Sequence, residues 1–268
     1  MRATVRVYWR ILVAGFRRQS TYRLAALGGL VANVTFGLLK VSILFATVEA
    51  AGGELAGYDV ATMSTYIWLS QGLLGSVNLF GRSDLAERIK DGQVAVDFLR
   101  PVDVHAASVV NEVGQALFAL IPRGLPSVLI GALLVGMAGP PSLSAYLLGA
   151  VSLLLGIVVS AATVYLVGVS GFWLVETRGV QVLYMVVSGF LAGLYVPIYL
   201  FPAWLQALAQ ATPFPAMMMY PVDVLSGRVT GLDAVGLVAA QVAWLVAVAL
   251  VGQLLTRGGR RRLEVQGG

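Results

Sequence analysis

Six apolar runs, each long enough to cross a lipid bilayer, fill most of this 268-residue chain. A helix rises about 1.5 Å per residue, so about 20 apolar residues cross a hydrocarbon core of about 30 Å. The runs lie near residues 24 to 48, 60 to 80, 106 to 137, 144 to 173, 179 to 199 and 232 to 256. Lipid offers no hydrogen-bond partner to an open strand edge, and the runs are too long for barrel strands. We therefore expect an all-α, polytopic membrane protein with six transmembrane helices in one domain, residues 1–268.

The composition agrees with this class and excludes much catalytic chemistry. Hydrophobic residues make up 58% of the chain, charged residues only 12%, and the mean hydropathy is +0.85. There is no cysteine, so the chain has no disulfide, thiolate nucleophile or cysteine metal site. His105 is the single histidine. We therefore expect no metal site and no catalytic residue in this chain.

The distribution of basic residues predicts the orientation. Fifteen of the 18 arginines and lysines lie in residues 1–23, 81–103, Arg178 and the tail 257–262, whereas Arg228 is the one basic residue of the opposite loops. Because cytoplasmic loops are enriched in arginine and lysine, both termini are predicted to be cytoplasmic. The net charge of +5 then reflects topology and contact with anionic membrane lipid, and does not indicate nucleic-acid binding.

The first 20 residues form a separate element. Apolar residues from Val5 to Phe16 follow helical spacing, and the arginines gather on another face. This pattern predicts an amphipathic helix in the cytoplasmic interface, with Arg2, Arg6, Arg10 and Arg17 on its polar side. A surface anchor and a part that relays motion are both compatible with it.

A charged element, residues 81–103, separates the second and third runs. Ser83 is a suitable N-cap, and Gly92 suits the position just past a helix end. Asp84 and Glu87 fall in the first turns, where the helix dipole favours anions, while Arg88 and Lys90 fall in the last turn, where it favours cations. The pattern predicts a helix of about two turns that needs a surface to pack on. A solvated helix resting on lipid headgroups is the alternative.

The segment 197–231, between the fifth and sixth runs, is apolar but contains five prolines. No continuous helix can cross it, so we expect a re-entrant or interfacial outer segment with a short helix from Pro202 to Ala211. Phe201 and Trp204 are possible substrate-path residues. Met217 to Met219 either line an outer vestibule or pack in the core.

Two cations lie at membrane depth, where ionisable residues suggest function. Lys40 is close enough to the end of the first run for its amine to reach the interface. Arg123 lies between Pro122 and Pro126 near the middle of the third run. We expect it to face a water-filled cavity, a partner helix or a nearby acid such as Glu112, and it is a possible substrate-path residue.

Small residues suggest where helices meet. Gly189 and Gly193 form a GxxxG pattern, and Ala239, Ala243 and Ala247 form a ladder on the last run. Packing within the chain is the favoured interpretation of both patterns, and contact with a second subunit is the alternative.

These features together resemble an ABC-2 type transporter permease, a six-span subunit of an ABC exporter. The charged element resembles the subfamily pattern I-x-x-G, Asp, L-x-P at Ile89, Gly92, Asp97, Leu99 and Pro101. The similarity extends to residues 194–205 and to the tail 257–268.

The resemblance implies that the charged element is a cytoplasmic coupling helix that binds a separate ABC ATPase. The residues expected to carry this contact are Asp84, Glu87, Arg88, Lys90, Gly92, Asp97 and Arg100. Arg10, Arg17 and Arg18 of the interfacial helix are further candidates that the resemblance implies. It further implies two ATPase copies, which would hold ATP and Mg, and a second six-span permease, either a related subunit or a second copy. The expected location is the bacterial cytoplasmic membrane, and the expected cargo is an amphipathic or hydrophobic drug, antibiotic, lipid or peptide leaving the cell.

Two other classes remain as alternatives. A stand-alone secondary transporter or channel would normally show intramembrane carboxylates or matched broken helices, and neither is clear here. A membrane enzyme would need clustered acids, bases or metal ligands. The phosphate-binding pattern GxxxxGK[ST] is absent, so the chain cannot bind ATP in that manner by itself.

Overall fold

The computed structural model describes residues 2–140, 142–174 and 176–266, and this part of the chain is helical apart from turns and one isolated β-bridge. The last two residues of the tail, 267–268, lie outside the described part. The helices are α1 (Arg2–Ser20), α2 (Arg23–Ala50), α3 (Val60–Leu73), α4 (Asp84–Lys90), α5 (Val94–Phe98), α6 (Val104–Ala119), α7 (Leu125–Leu134), α8 (Leu143–Val169), α9 (Arg178–Leu191), α10 (Ala203–Gln210), α11 (Phe214–Met217), α12 (Met219–Leu225) and α13 (Gly231–Gln266). The expected all-α class is thus confirmed.

Four helical segments of the described residues are long and apolar enough to cross a membrane. They are Leu24–Ala50, Val104–Leu134, Leu143–Phe172 and Gly231–Leu263. The predicted second and fifth spans instead contain α3 and α9, which have 14 residues each and extend about 21 Å. Gly193, with φ of 75°, follows the end of α9, and an irregular stretch follows α3. The count of six spans therefore stays a prediction.

The third predicted span is continuous but not uniformly α-helical. A π-helical turn, Leu120–Gly124, joins α6 to α7, and the Leu125 N–H donates to the Leu120 carbonyl. Pro122 has no N–H to donate, and the ring of Pro126 would clash with the carbonyl four residues earlier in an α-helix. A wider turn accommodates both prolines without breaking the helix.

The segments predicted to share one membrane side meet at one end of the bundle, called the charged end below. Arg18 of α1 pairs with Asp84 of α4, and Lys90 of α4 pairs with Glu176 in the turn between α8 and α9 at 3.2 Å. Arg260, near the end of α13, lies 5.7 Å from the centre of a ring on α5. Four segments far apart in sequence thus form one basic-rich surface.

The outer segment is broken as expected. α10 begins after Pro202 and ends before Ala211, where the sequence predicts a short helix. Beyond it, Leu225 of α12 contacts Gly149 of α8, and Met217 of α11 contacts Gly156. Gly156 lies about 20 Å along the helix from the first residue of α8, so α11 and α12 lie beside the first half of α8.

Of the two alternatives for Met217 to Met219, core packing is the one observed, since they are at most 1% exposed and belong to the main apolar core. The expectations for the small residues are wrong. Gly193 ends α9 instead of extending a GxxxG face, and the space beside Gly189 is filled by the Tyr195 ring. The ladder of Ala239, Ala243 and Ala247 is exposed and is not used for packing within the chain.

Lys40 also differs from its prediction. Its ammonium donates to the backbone carbonyl of Leu194, just past the end of α9, instead of extending to an interface. The lysine thereby provides a donor for a carbonyl in the irregular backbone that follows α9.

Candidate functional site

The short helix α4 has the ends that its sequence predicts. The Ser83 hydroxyl accepts a hydrogen bond from the Leu85 N–H at 3.2 Å, which satisfies one of the free donors of the first turn. The acidic residues occupy the first turn and the basic residues the last. Gly92, with φ of 72°, turns the chain into α5, a conformation that costs glycine little.

A continuous apolar contact holds the charged element to the bundle. Leu85, Ile89 and Val94 are buried together with Tyr165 and Val169 of α8. Full burial of a leucine or isoleucine side chain contributes about 1.5–3 kcal/mol. This contact supplies the surface that a two-turn helix needs in order to be stable.

Ion pairs fix α4 against α5. Two guanidinium nitrogens of Arg88 donate to Asp97 Oδ2, at 2.6 and 2.9 Å, and Arg100 lies 3.4 Å from the other oxygen of the same carboxylate. Asp97 is only 16% exposed, which shields these pairs from solvent more than surface pairs. Arg88, Asp97 and Arg100 therefore contact one another, and the side chain of Arg88 is committed to shaping the element.

Two further ion pairs join α4 to its neighbours. The pair between Arg18 and Asp84 links α1 to α4, and both side chains are about half exposed. At the other end of α4, the hydrogen bond from Lys90 lowers the pKa of the Glu176 carboxyl below its ordinary value. Stability from this pair is present at neutral pH and is lost as the pH falls through that pKa. Exposed pairs of this kind add little to stability, so they orient α4 more than they hold it.

The opposite face of α4 and α5 is exposed. Glu87 and Gly92 face solvent, as do two apolar side chains: Val96 of α5 at 54% exposure and Leu99, directly after α5, at 84%. We call Glu87, Val96 and Leu99 the exposed face. Val94 and Phe98, four apart, turn inward, whereas Val96 and Leu99, three apart, turn outward. Val96 and Leu99 were assigned no contact from the sequence alone. Helical spacing after Gly92 is the signal that could have found them, because it places Val96 and Leu99 on a different face from Val94 and Phe98.

A cavity of about 950 Å³ adjoins α4, and its lining includes Glu87 of the exposed face together with Ala86 and Lys90. Its walls come from the end of α1, the irregular stretch after α3, α4, α6 with the π-helical turn, the turn between α8 and α9, and the start of α9. Arg123 lines it, and so does Glu112, which accepts a hydrogen bond from Asn78 at 2.8 Å instead of pairing with Arg123. Of the three surroundings expected for Arg123, two are observed: the cavity, and a neighbouring helix, α2, where Asn33 accepts a hydrogen bond from it at 2.9 Å.

The other predicted site residues lie elsewhere. Arg10 and Arg17 are exposed on α1. Phe201 is partly buried against the main core, and Trp204 is 69% exposed on α10, and neither lines this cavity.

The long apolar helices define a multi-pass membrane protein, and the fold carries a short charged element fastened at one end. A family model described as ABC-2 family transporter protein matches residues 31–267, and the chain therefore belongs to that family. Members of the family are membrane components of ABC transporters, generally non-catalytic, and associate with an ABC ATPase. A comparison with curated protein sequences gives no match.

Proposed function

We propose that this chain is the permease subunit of an ATP-driven exporter in the bacterial cytoplasmic membrane, and that a separate ATPase binds the exposed face of α4 and α5. Two ATPase copies would hold ATP and Mg, and a second permease, either related or identical, would complete the path. Both termini are cytoplasmic in this proposal. The cargo is amphipathic or hydrophobic.

The observation that carries the proposal is the construction of the charged element. Its inner face is buried against α8, its two helices are joined by the Arg88 and Asp97 pair, and its outer face leaves Leu99 84% exposed. An apolar side chain rimmed by charges is the usual make-up of a protein contact surface. The basic-rich termini lie at the same end of the bundle, which is the end predicted to be cytoplasmic.

The same construction suggests how movement of the ATPase reaches the membrane. Ala86, Glu87 and Lys90 of α4 line the cavity, while the buried residues of α4 contact α8. A displacement of the exposed face would therefore shift both a cavity wall and a long apolar helix. Coupling requires that the ATPase contact differ between its two states, so ATP binding would favour one arrangement of the cavity over another.

The direct test is a pair of substitutions on the exposed face, Glu87→Lys and Leu99→Asp, in the tagged chain purified from its native membranes. We expect the wild type to elute with a protein that is photolabelled by azido-ATP and hydrolyses ATP. The double variant should retain about tenfold less of it, equivalent to about 1.4 kcal/mol. Glu54→Lys is the matched control, because Glu54 is also exposed but lies in the loop between α2 and α3.

Charge reversal at Arg88 is a poorer test, because it would break the pair with Asp97 inside the element. Equal ATPase retention by the double variant and the wild type would contradict the proposed contact. Recovery of an ATPase-free oligomer with transport activity would favour a secondary transporter.

A further inference from the structure

The cavity beside α4 contains an arginine whose charge is unmatched. Arg123 donates one hydrogen bond, from Nη2 to Asn33 Oδ1 at 2.9 Å, and its Nε is buried without a hydrogen-bond partner. Among the described residues, no carboxylate forms an ion pair with it. A charged side chain within a span is costly unless something compensates it.

The backbone around Arg123 is arranged to admit this side chain. The π-helical turn Leu120–Gly124 carries it, and such turns are frequent at functional sites. A Cβ at Gly29 would lie 2.9 Å from Arg123 Cζ, and a Cβ at Gly75 would lie 2.9 Å from its Cδ. Both contacts are too close for an ordinary side chain, so glycine on α2 and glycine after α3 leave the space that the guanidinium occupies.

The remaining charges of the cavity favour an anion. Three of its four acids already accept from protein donors: Asp84 from Arg18, Glu176 from Lys90, and Glu112 from Asn78. On the basic side, Arg82, Arg123 and Arg178 make no ion pair with another described residue. Among the described residues, the cavity lining thus holds three arginines without an ion pair and two acids without one, Glu87 and Glu112.

We propose that Arg123 binds the anionic group, a phosphate, sulfate or carboxylate, of an amphipathic transport substrate. A guanidinium presents several parallel donors to such groups. The volume of about 950 Å³ lies within the range of small-molecule sites, and Leu74, Val77 and Phe80 add apolar wall for a tail. This substrate class rests on the proposed transport function.

The test uses dodecyl phosphate as the probe, with the purified chain in a neutral detergent. Arginine-specific modification by butanedione is followed at Arg123 by peptide mass spectrometry, with exposed Arg6 as the internal reference. Dodecyl phosphate should slow modification of Arg123 about tenfold and leave Arg6 unchanged, since a bidentate anion blocks the reagent. Dodecyltrimethylammonium, with the same tail and the opposite charge, should give no protection.

Binding measured on variants gives a second line of evidence. Arg123→Gln should weaken dodecyl phosphate binding about tenfold, whereas Arg6→Gln should not. Because the wild-type protection experiment needs no substitution, misfolding of Arg123→Gln would not spoil the test.

Three results would overturn the inference: no protection by dodecyl phosphate, equal protection by the cationic amphiphile, or equal protection by inorganic phosphate. The last would mean that the site takes the free anion and not an amphiphile. Any of these results would leave the ATPase contact standing, because that contact is tested separately at Glu87 and Leu99.

Discussion

Arg228 lies between two aromatic rings at the end of the bundle opposite the charged element. Its guanidinium carbon is 4.3 Å from the centre of the Tyr58 ring and 3.8 Å from that of Tyr199. It also lies 3.5 Å from Asp223, which is 1% exposed, and donates to the Ala56 carbonyl at 3.1 Å. One arginine thus connects the loop between α2 and α3 to the outer segment.

Removal of this arginine should be costly, because it would leave the Asp223 carboxylate buried without its cation. We expect Arg228→Ala to lower the free energy of unfolding by about 3–5 kcal/mol, measured as a lower thermal transition of the detergent-purified chain. Adding Asp223→Asn to that variant should recover part of the loss, since a neutral amide is cheaper to bury. Equal stability of the single and double variants would show that the buried charge is not the cause.

Helix ends were more predictable from sequence than helix partners. Ser83, Gly92 and the charge order of α4 act within one or two turns, so local chemistry determines them. The contact of Leu85 with α8 and the pairing of Arg88 with Asp97 depend on distant segments or on the turn at Gly92. The π-helical turn could not be predicted from sequence either. Two prolines in an apolar run predict an interruption of the α-helix, but they do not predict whether it is a kink, a break or a π-helical turn.

The pair between Arg88 and Asp97 gives the element its shape and can be tested by exchange. Arg88→Asp alone should release α5 from α4, which should lower ATPase retention about three- to tenfold, since partly buried pairs are worth more than exposed ones. The swapped variant, Arg88→Asp with Asp97→Arg, should recover much of the retention.

The amount of ATPase that copurifies with each variant checks this prediction. Circular dichroism of the purified variants is the control for folding. A swap no better than the single variant would mean that Arg88 contacts the ATPase itself.

The whole molecule has two chemically different ends. Arginines from both terminal regions surround the charged element at one end, and the other end brings together the loop after α2 and the outer segment through Arg228. Sequence predicted this separation because basic residues are distributed unequally among the loops. It did not reveal the cavity, whose walls come from several separate segments.

Crosslinking from the two ends tests the central claim that the ATPase binds the exposed face, to which Leu99 belongs. The chain has no cysteine, so Leu99→Cys and Leu232→Cys each introduce one thiol, at sites that are 84% and 87% exposed in the native chain. A short thiol-to-amine crosslinker is applied to native membranes together with azido-ATP. We expect a crosslinked, ATP-photolabelled protein from Leu99→Cys, with the photolabel abolished by excess ATP in the labelling step, and none from Leu232→Cys. Equal labelled products from both positions, or none from Leu99→Cys in membranes that transport, would contradict that claim.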